Sequence, residues 1–156
     1  MAVKTSSGIK IHVTDAVATA STQTEFETLS YVEIGEISDG GEFGSEFNPV
    51  NFTALGDAIV RKLKGSEDPG TMQLQLGRDM TDAGQAQLST ALASYDDYGF
   101  KVEFDDQITP STGNPTTFYF RGKVMSYRTQ IGGADTVTAA TCSIGITTRP
   151  IEVEAV

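Results

Sequence analysis

The sequence predicts a mainly β fold, an antiparallel β-sandwich or barrel with one flanking α-helix. Three observations carry that prediction. Apolar residues recur at every second position in four separate stretches. Two longer stretches near the C-terminal end are rich in Thr, Tyr, Phe, Val and Ile. A single stretch shows the three- and four-residue spacing of an amphipathic helix. Period-two alternation puts one set of side chains on a buried face and the other in water, as antiparallel sheets require.

The elements follow in chain order. Ile9, Ile11 and Val13 alternate with Lys10, His12 and Thr14. Val32 and Ile34 alternate with Tyr31, Glu33 and Gly35. Met72, Leu74 and Leu76 alternate with Thr71, Gln73 and Gln75, and Phe100, Val102 and Phe104 with Lys101 and Glu103. Thr116–Arg128 and Thr136–Thr148, with Gly132-Gly133 between them, read as a long closing hairpin. The helix is expected over about residues 80–94, because Met80, Gly84, Leu88, Ala91, Leu92 and Tyr95 fall on one side. Its other side carries Gln85, Gln87, Ser89 and Thr90; Asp79 or Thr81 caps it and Asp82 suits its first turn. Ser38–Val50, Lys64–Gly70 and Asp105–Pro115 read as loops, and Met1–Gly8 and Pro150–Val156 as extended terminal arms. The whole of 1–156 is read as one domain.

Composition narrows function. The chain has 156 residues, 11 basic against 21 acidic, for a formal net charge of −10. So acidic a protein does not hold nucleic acid by counterion release, which needs Lys and Arg at the phosphates. One cysteine, Cys142, excludes an internal disulfide, and the lone His12 excludes a two-histidine metal motif. No apolar run approaches the roughly 18–20 residues of a spanning helix. The start shows no apolar leader, so a protein made and first kept in the cytoplasm is expected. The charge is unevenly placed. Between Lys10 and Arg61 there are nine carboxylates and no Lys or Arg, whereas Arg61, Lys62 and Lys64, then Arg121, Lys123 and Arg128, form basic groups. Such separation serves as a solvated face, or lets copies pair acidic edge to basic edge.

Catalytic patterns fail one after another. A serine triad would need His12, which alternates with Ile11 and Val13 on a strand. Thr141–Gly145 lacks the first glycine of a nucleophile elbow. The region of Arg121-Gly122-Lys123-Val124 lacks both the leading glycine and the Ser or Thr of a P-loop. Asp96-Asp97 and Asp105-Asp106 are paired carboxylates without EF-hand spacing, and a loop-bound Ca²⁺ is the most they suggest. Cys142 reads as a small buried hydrophobe. No enzyme, catalytic residue, metal or cofactor is predicted. Within the glycine-rich Ser38–Val50, Phe43 and Phe47 either fold back on the core or pack against another molecule.

The order of these features resembles the major tail tube proteins of long-tailed, siphovirus-like bacteriophages. The resemblance lies in Tyr31–Ile37 followed by Gly41-Glu42-Phe43-Gly44, and in the strand running into Arg61-Lys62-Leu63-Lys64-Gly65-Ser66 with Asp68 and Gly70 beyond. It continues through the helix with Asp82, Gly84, Gln85 and Leu88, then Tyr98–Val102, Phe120–Val124 and Val137–Ile146, spanning nearly the whole chain. It implies a structural virion protein whose hexameric rings stack into a tail tube, an acidic conduit for DNA ejection. Partners would be copies of itself and tail components such as a tape measure and a tail terminator; DNA would pass without specific binding and no membrane is involved. Localisation would be the virion tail, after assembly in the host cytoplasm. Gly41, Phe43, Phe47, Asn48 and Pro49 are expected at subunit or ring contacts, and Glu33, Glu36 and Glu103 facing the lumen. The alternatives are a type VI secretion-like tube with the same fold and protein cargo, a stand-alone β-sandwich that binds a ligand, and a small hydrolase. The absence of Trp lowers a sugar-binding role, and the failed triad lowers the hydrolase.

Overall fold

The computed structural model describes residues 3–109 and 111–156. Met1 and Ala2 of the N-terminal arm, and Pro110 of the Asp105–Pro115 loop, lie outside the described residues. The elements are β1 (Lys10–Val17), α1 (Gln23–Glu27), β2 (Tyr31–Glu33), β3 (Ile37–Asp39), β4 (Glu46–Thr53), β5 (Val60–Asp68) and β6 (Thr71–Gly77). They continue with α2 (Ala83–Ala93), β7 (Tyr98–Glu103), β8 (Thr117–Gln130), β9 (Ala139–Ile146) and β10 (Ile151–Val153). The mainly β prediction holds, and every paired neighbour is antiparallel.

The main sheet runs β2-β1-β7-β8-β9-β6-β3, with β10 paired to Thr117–Tyr119 at the start of β8, which β9 does not reach. Its first and last strands, β2 and β3, are joined by only Ile34, Gly35 and Glu36. So short a link spans at most about 14 Å, which forces the two ends of the sheet together and rolls it into a barrel. The link itself is paired on both sides, extending the β1–β2 ladder through Ile34 N–H to Ile11 O at 2.9 Å and the β3–β6 ladder through Gly77 N–H to Glu36 O at 2.8 Å. Inward-facing Val13, Leu74, Phe100, Phe120, Cys142 and Ile144 are completely buried, as the alternation predicts. Their removal from water, at roughly 25 cal/mol per Å² of apolar surface, drives the closure. The β8–β9 hairpin pairs from Gly122↔Ile146 to Gln130↔Ala139, with Met125 bulged out where the register shifts.

Helix α2 lies against the inner face and differs from its prediction in three ways. It begins at Ala83, and its cap is Asp82, which was placed in the first turn. One Asp82 carboxylate oxygen accepts from both Gln85 N–H (2.9 Å) and Gly35 N–H (3.1 Å), so a single side chain caps the helix and fastens it to the seam. Met80 and Tyr95 are exposed beyond the helix ends, whereas Gln85, assigned to the wet side, is fully buried. Gly84 is required by proximity: a Cβ there would lie 2.1 Å from Glu33 O. Gly84→Val should therefore drive α2 off the seam, and loss of cooperative melting would show it.

A second short helix, α1, was not foreseen. Thr22 Oγ1 accepts from Glu25 N–H, and Phe26 is buried against Tyr119 with ring centroids 5.7 Å apart. Together with Leu29, Tyr31, Ile151 and Val153 this forms a small second core on the outer face of the sheet. Thus Pro150–Val156 is not an extended arm throughout, because Ile151–Val153 is a strand on β8.

Candidate assembly surface

Strands extend into two stretches that read as loops: the first half of β4 lies in Ser38–Val50, and β5, whose strand through Arg61–Ser66 the sequence indicates, runs on into Lys64–Gly70. Glu46–Thr53 and Val60–Asp68 pair from Glu46↔Asp68 to Thr53↔Val60 in a separate two-stranded sheet. Only 40–45 of Ser38–Val50 stays irregular, and the turn of Lys64–Gly70 shrinks to Pro69-Gly70. Pro49 and Gly65 hid the pattern. The proline falls at a register shift, the usual refuge for a residue without an N–H. Every residue of β4 is exposed, as are most of β5, so the pair projects from the body as an arm.

The arm is amphipathic. Val50↔Leu63 and Phe52↔Arg61 place an apolar set on one face, with Phe52 55% and Leu63 58% exposed. The other face carries Lys62 beside Asn51 and Lys64 beside Pro49, with Lys64 Nζ 4.7 Å from the centroid of the Phe47 ring. At the tip, Asp57 accepts from Ile59 N–H at 3.2 Å and pairs with Arg61, while Leu55 is wholly exposed. At the base, Arg149 Nε donates to Glu67 at 2.8 Å. Hydrogen bonds from Arg149 and Ser45 hold the Glu67 carboxyl down at about 2. A carboxyl depressed on folding supports structure above its ordinary range and withdraws that support as pH falls toward the folded value. Arm amides should accordingly exchange faster as pH drops from about 4.5 toward 2, after correction for intrinsic exchange, and Arg149→Ala should give the same loosening at neutral pH.

The residues expected at contacts separate into two groups. Phe47, Asn48 and Pro49 lie on the arm, with Asn48 Nδ2 donating to Ser66 Oγ at 3.1 Å. Phe43 folds back: its ring meets Phe118 edge-on at 5.0 Å and Phe120 at 5.8 Å. Gly41 sits beside it at φ +65°, where a Cβ would lie 2.3 Å from Gln73 O, so only glycine fits the approach. The exposed Phe52, Leu55, Ile59 and Leu63 were missed. Alternation of Val50 and Phe52 across from Leu63 was the available signal.

The three expected lumen carboxylates also divide. Glu33 and Glu103 share one outer face with His12 and Lys101, through the pairs His12↔Glu33 and His12↔Lys101. Lys101 Nζ lies 2.8 Å from Glu103. Burial, then the Lys101 charge, push His12 below its usual range, so this face sets an imidazole held toward its neutral form beside the Lys101–Glu103 pair. Glu36 stands apart in the seam turn at φ +61°, a conformation that non-glycine residues adopt at a cost of roughly 1 kcal/mol. Cys142 is buried as expected, and burial pushes its thiol up to about 12. Among the described residues no group of three or more His, Cys, Asp or Glu side chains converges as a metal site.

No protein-family model and no curated protein matches the sequence. Solved structures do match the fold. A chain in the anti-feeding prophage baseplate superposes with a TM-score of 0.70 at 12% identity, covering 99% of this chain and 98% of that one. A chain in the sheath/tube terminator of the PVC extracellular contractile injection system gives 0.67 at 11%, covering 98% of each. The SPP1 tail tube gives 0.63 at 14%, covering 94% of this chain and 76% of that one. At such identities the likeness is one of architecture, and that architecture is tail-tube-like.

Proposed function

We propose that this chain is a structural protein that polymerises with itself into a tube. The carrying observation is the β4–β5 arm, regular in structure yet exposed on both faces. A lone two-stranded ribbon is marginal in water, and its Val50, Phe52 and Leu63 stripe gains burial only against another molecule. The tail-tube-like fold supports the same reading. In its finer form the copies close into hexameric rings by a heterologous contact, and the rings stack into a phage tail tube through which DNA is ejected. Gly41 and Phe43 then brace the arm while Phe47, Asn48 and Pro49 touch the neighbour. Tape measure and tail terminator complete the assembly. Glu33, Glu36 and Glu103 face the lumen; Glu103 is paired with Lys101, so Glu33 and Glu36 supply the negative charge that keeps phosphates from sticking.

Negative-stain microscopy and size-exclusion chromatography of the purified chain test the proposal: rings or tubes are expected. A variant with Phe52→Asp and Leu63→Asp should remain a monomer with its melting temperature changed by less than about 3 °C, because both side chains already lie in water. Wild-type protein that stays monomeric at high concentration, with or without tail components, would remove the reading. For the lumen, Glu33→Lys with Glu36→Lys should slow DNA passage, and ejection at the normal rate would reject those positions.

A second reading is the tube of a contractile injection system with protein cargo. The nearly end-to-end superposition on the prophage and PVC chains favours it. Sheath co-purifying with the tube would separate the two.

A further inference from the structure

The barrel is open at one end. There Ile9, Ile11, Ile37, Phe43, Met72 and Phe104 line a cavity of about 500 Å³, with Asp39 and Glu42 at the rim. Ile9, Ile37 and Phe104 pack against the core yet stay only partly covered. We propose that this end is a socket for the arm tip of a second copy of the chain. The inference rests on the self-assembly reading above and names the surface that receives the arm.

Three features match tip to socket. The tip offers aliphatic Leu55 and Ile59, the exposed counterpart of an apolar cavity, and Asp57 holds the turn that presents them. Charge is complementary: Asp39 and Glu42 make no ion pair among the described residues, and neither does Lys62 just behind the tip. Direction is set by reach. Eight residues of strand extend about 26 Å, and the arm base at Ser45 and Glu46 adjoins the socket through Gly40–Gly44. A chain therefore presents its tip far from its own socket, so the joint forms between copies. Such a tip-to-socket contact is heterologous, and repeating it yields either a closed ring or an open fibre.

Cross-linking tests this. Leu55→Cys and Glu42→Cys are prepared as separate proteins, both at exposed positions, then mixed and oxidised. Native Cys142 stays silent because it is fully buried. A covalent pair of chains is expected in the mixture and not in either variant alone. An apolar fluorescent dye bound to the cavity of the monomer should be displaced on assembly. Reversing the rim with Asp39→Lys and Glu42→Lys should raise the critical concentration about tenfold, and Lys62→Glu in the same chain should restore it in part. Tubes that give no mixed pair, or that keep the dye, overturn the socket and leave the assembly reading standing. A mixed pair in particles that never grow into tubes keeps the socket and overturns the tube. Absence of both pair and tubes overturns both.

Discussion

Gln85→Leu should lower stability by about 4 kcal/mol and the melting temperature by roughly 10 °C. Few side chains in this protein hold so much together. The Gln85 amide donates to Gly77 O at 2.8 Å and Gly35 O at 3.2 Å, tying the end of β6 to the link between the two strands of the barrel seam. Its oxygen accepts from Asp79 N–H (3.0 Å), Arg78 Nη1 (3.2 Å) and Tyr127 Oη (3.3 Å). Leucine fills a similar volume but leaves these groups without their partner in a site closed to water, and a buried unpaired polar group costs about 1–3 kcal/mol. Arg78 makes the loss larger, since its charge would keep only the Tyr127 hydroxyl at 2.7 Å among these contacts. Gln85→Glu retains an acceptor for Arg78 while opposing the two carbonyls, so it should fall between wild type and leucine. Thermal melts of the three proteins measure this. Equal stability of leucine and wild type would show that the seam is held by apolar packing alone.

This same residue marks where sequence reasoning stops. The helix itself was legible from the spacing of Gly84, Leu88 and Ala91, but Gln85 looks identical to Gln87 in any periodic reading. Which glutamine is buried depends on where the carbonyls of Gly35 and Gly77 meet, and that meeting exists only once the sheet has rolled up. A sandwich or barrel was legible, but not where it closes, for the same reason: nothing in Val32–Ile37 announces that its two halves pair with opposite ends of one sheet. Alternation, a local property, correctly predicted β1, β6, β7 and the β8–β9 hairpin. The arm was misread because Pro49 and Gly65 break its alternation at a register shift. Helix α1 was missed although Thr22-x-x-Glu25 is a helix-start signature, because five residues are too few to display a period.

Phe43→Ser and Phe52→Ser should part company, and their difference decides what the phenylalanines around the arm are for. In sequence Phe43 and Phe47 look alike, two aromatic residues in one glycine-rich stretch. The structure puts Phe43 on the Phe118 and Phe120 rings at the mouth of the core. Serine there removes an aromatic ring from packed neighbours, a loss of about 2–3 kcal/mol and some 6–8 °C in melting temperature. Assembly should fail with it, because the base of the arm loses its brace. Phe52 stands in water on the apolar face of the arm, so its serine variant should melt within about 2 °C of wild type and still fail to assemble. Melting curves and negative-stain images of the two variants side by side read both effects. Stable Phe43→Ser protein would place that ring in an interface rather than in the fold. Normal tubes from Phe52→Ser would free the apolar face of the arm from any contact, and with it the reason an unsupported ribbon projects from this barrel at all.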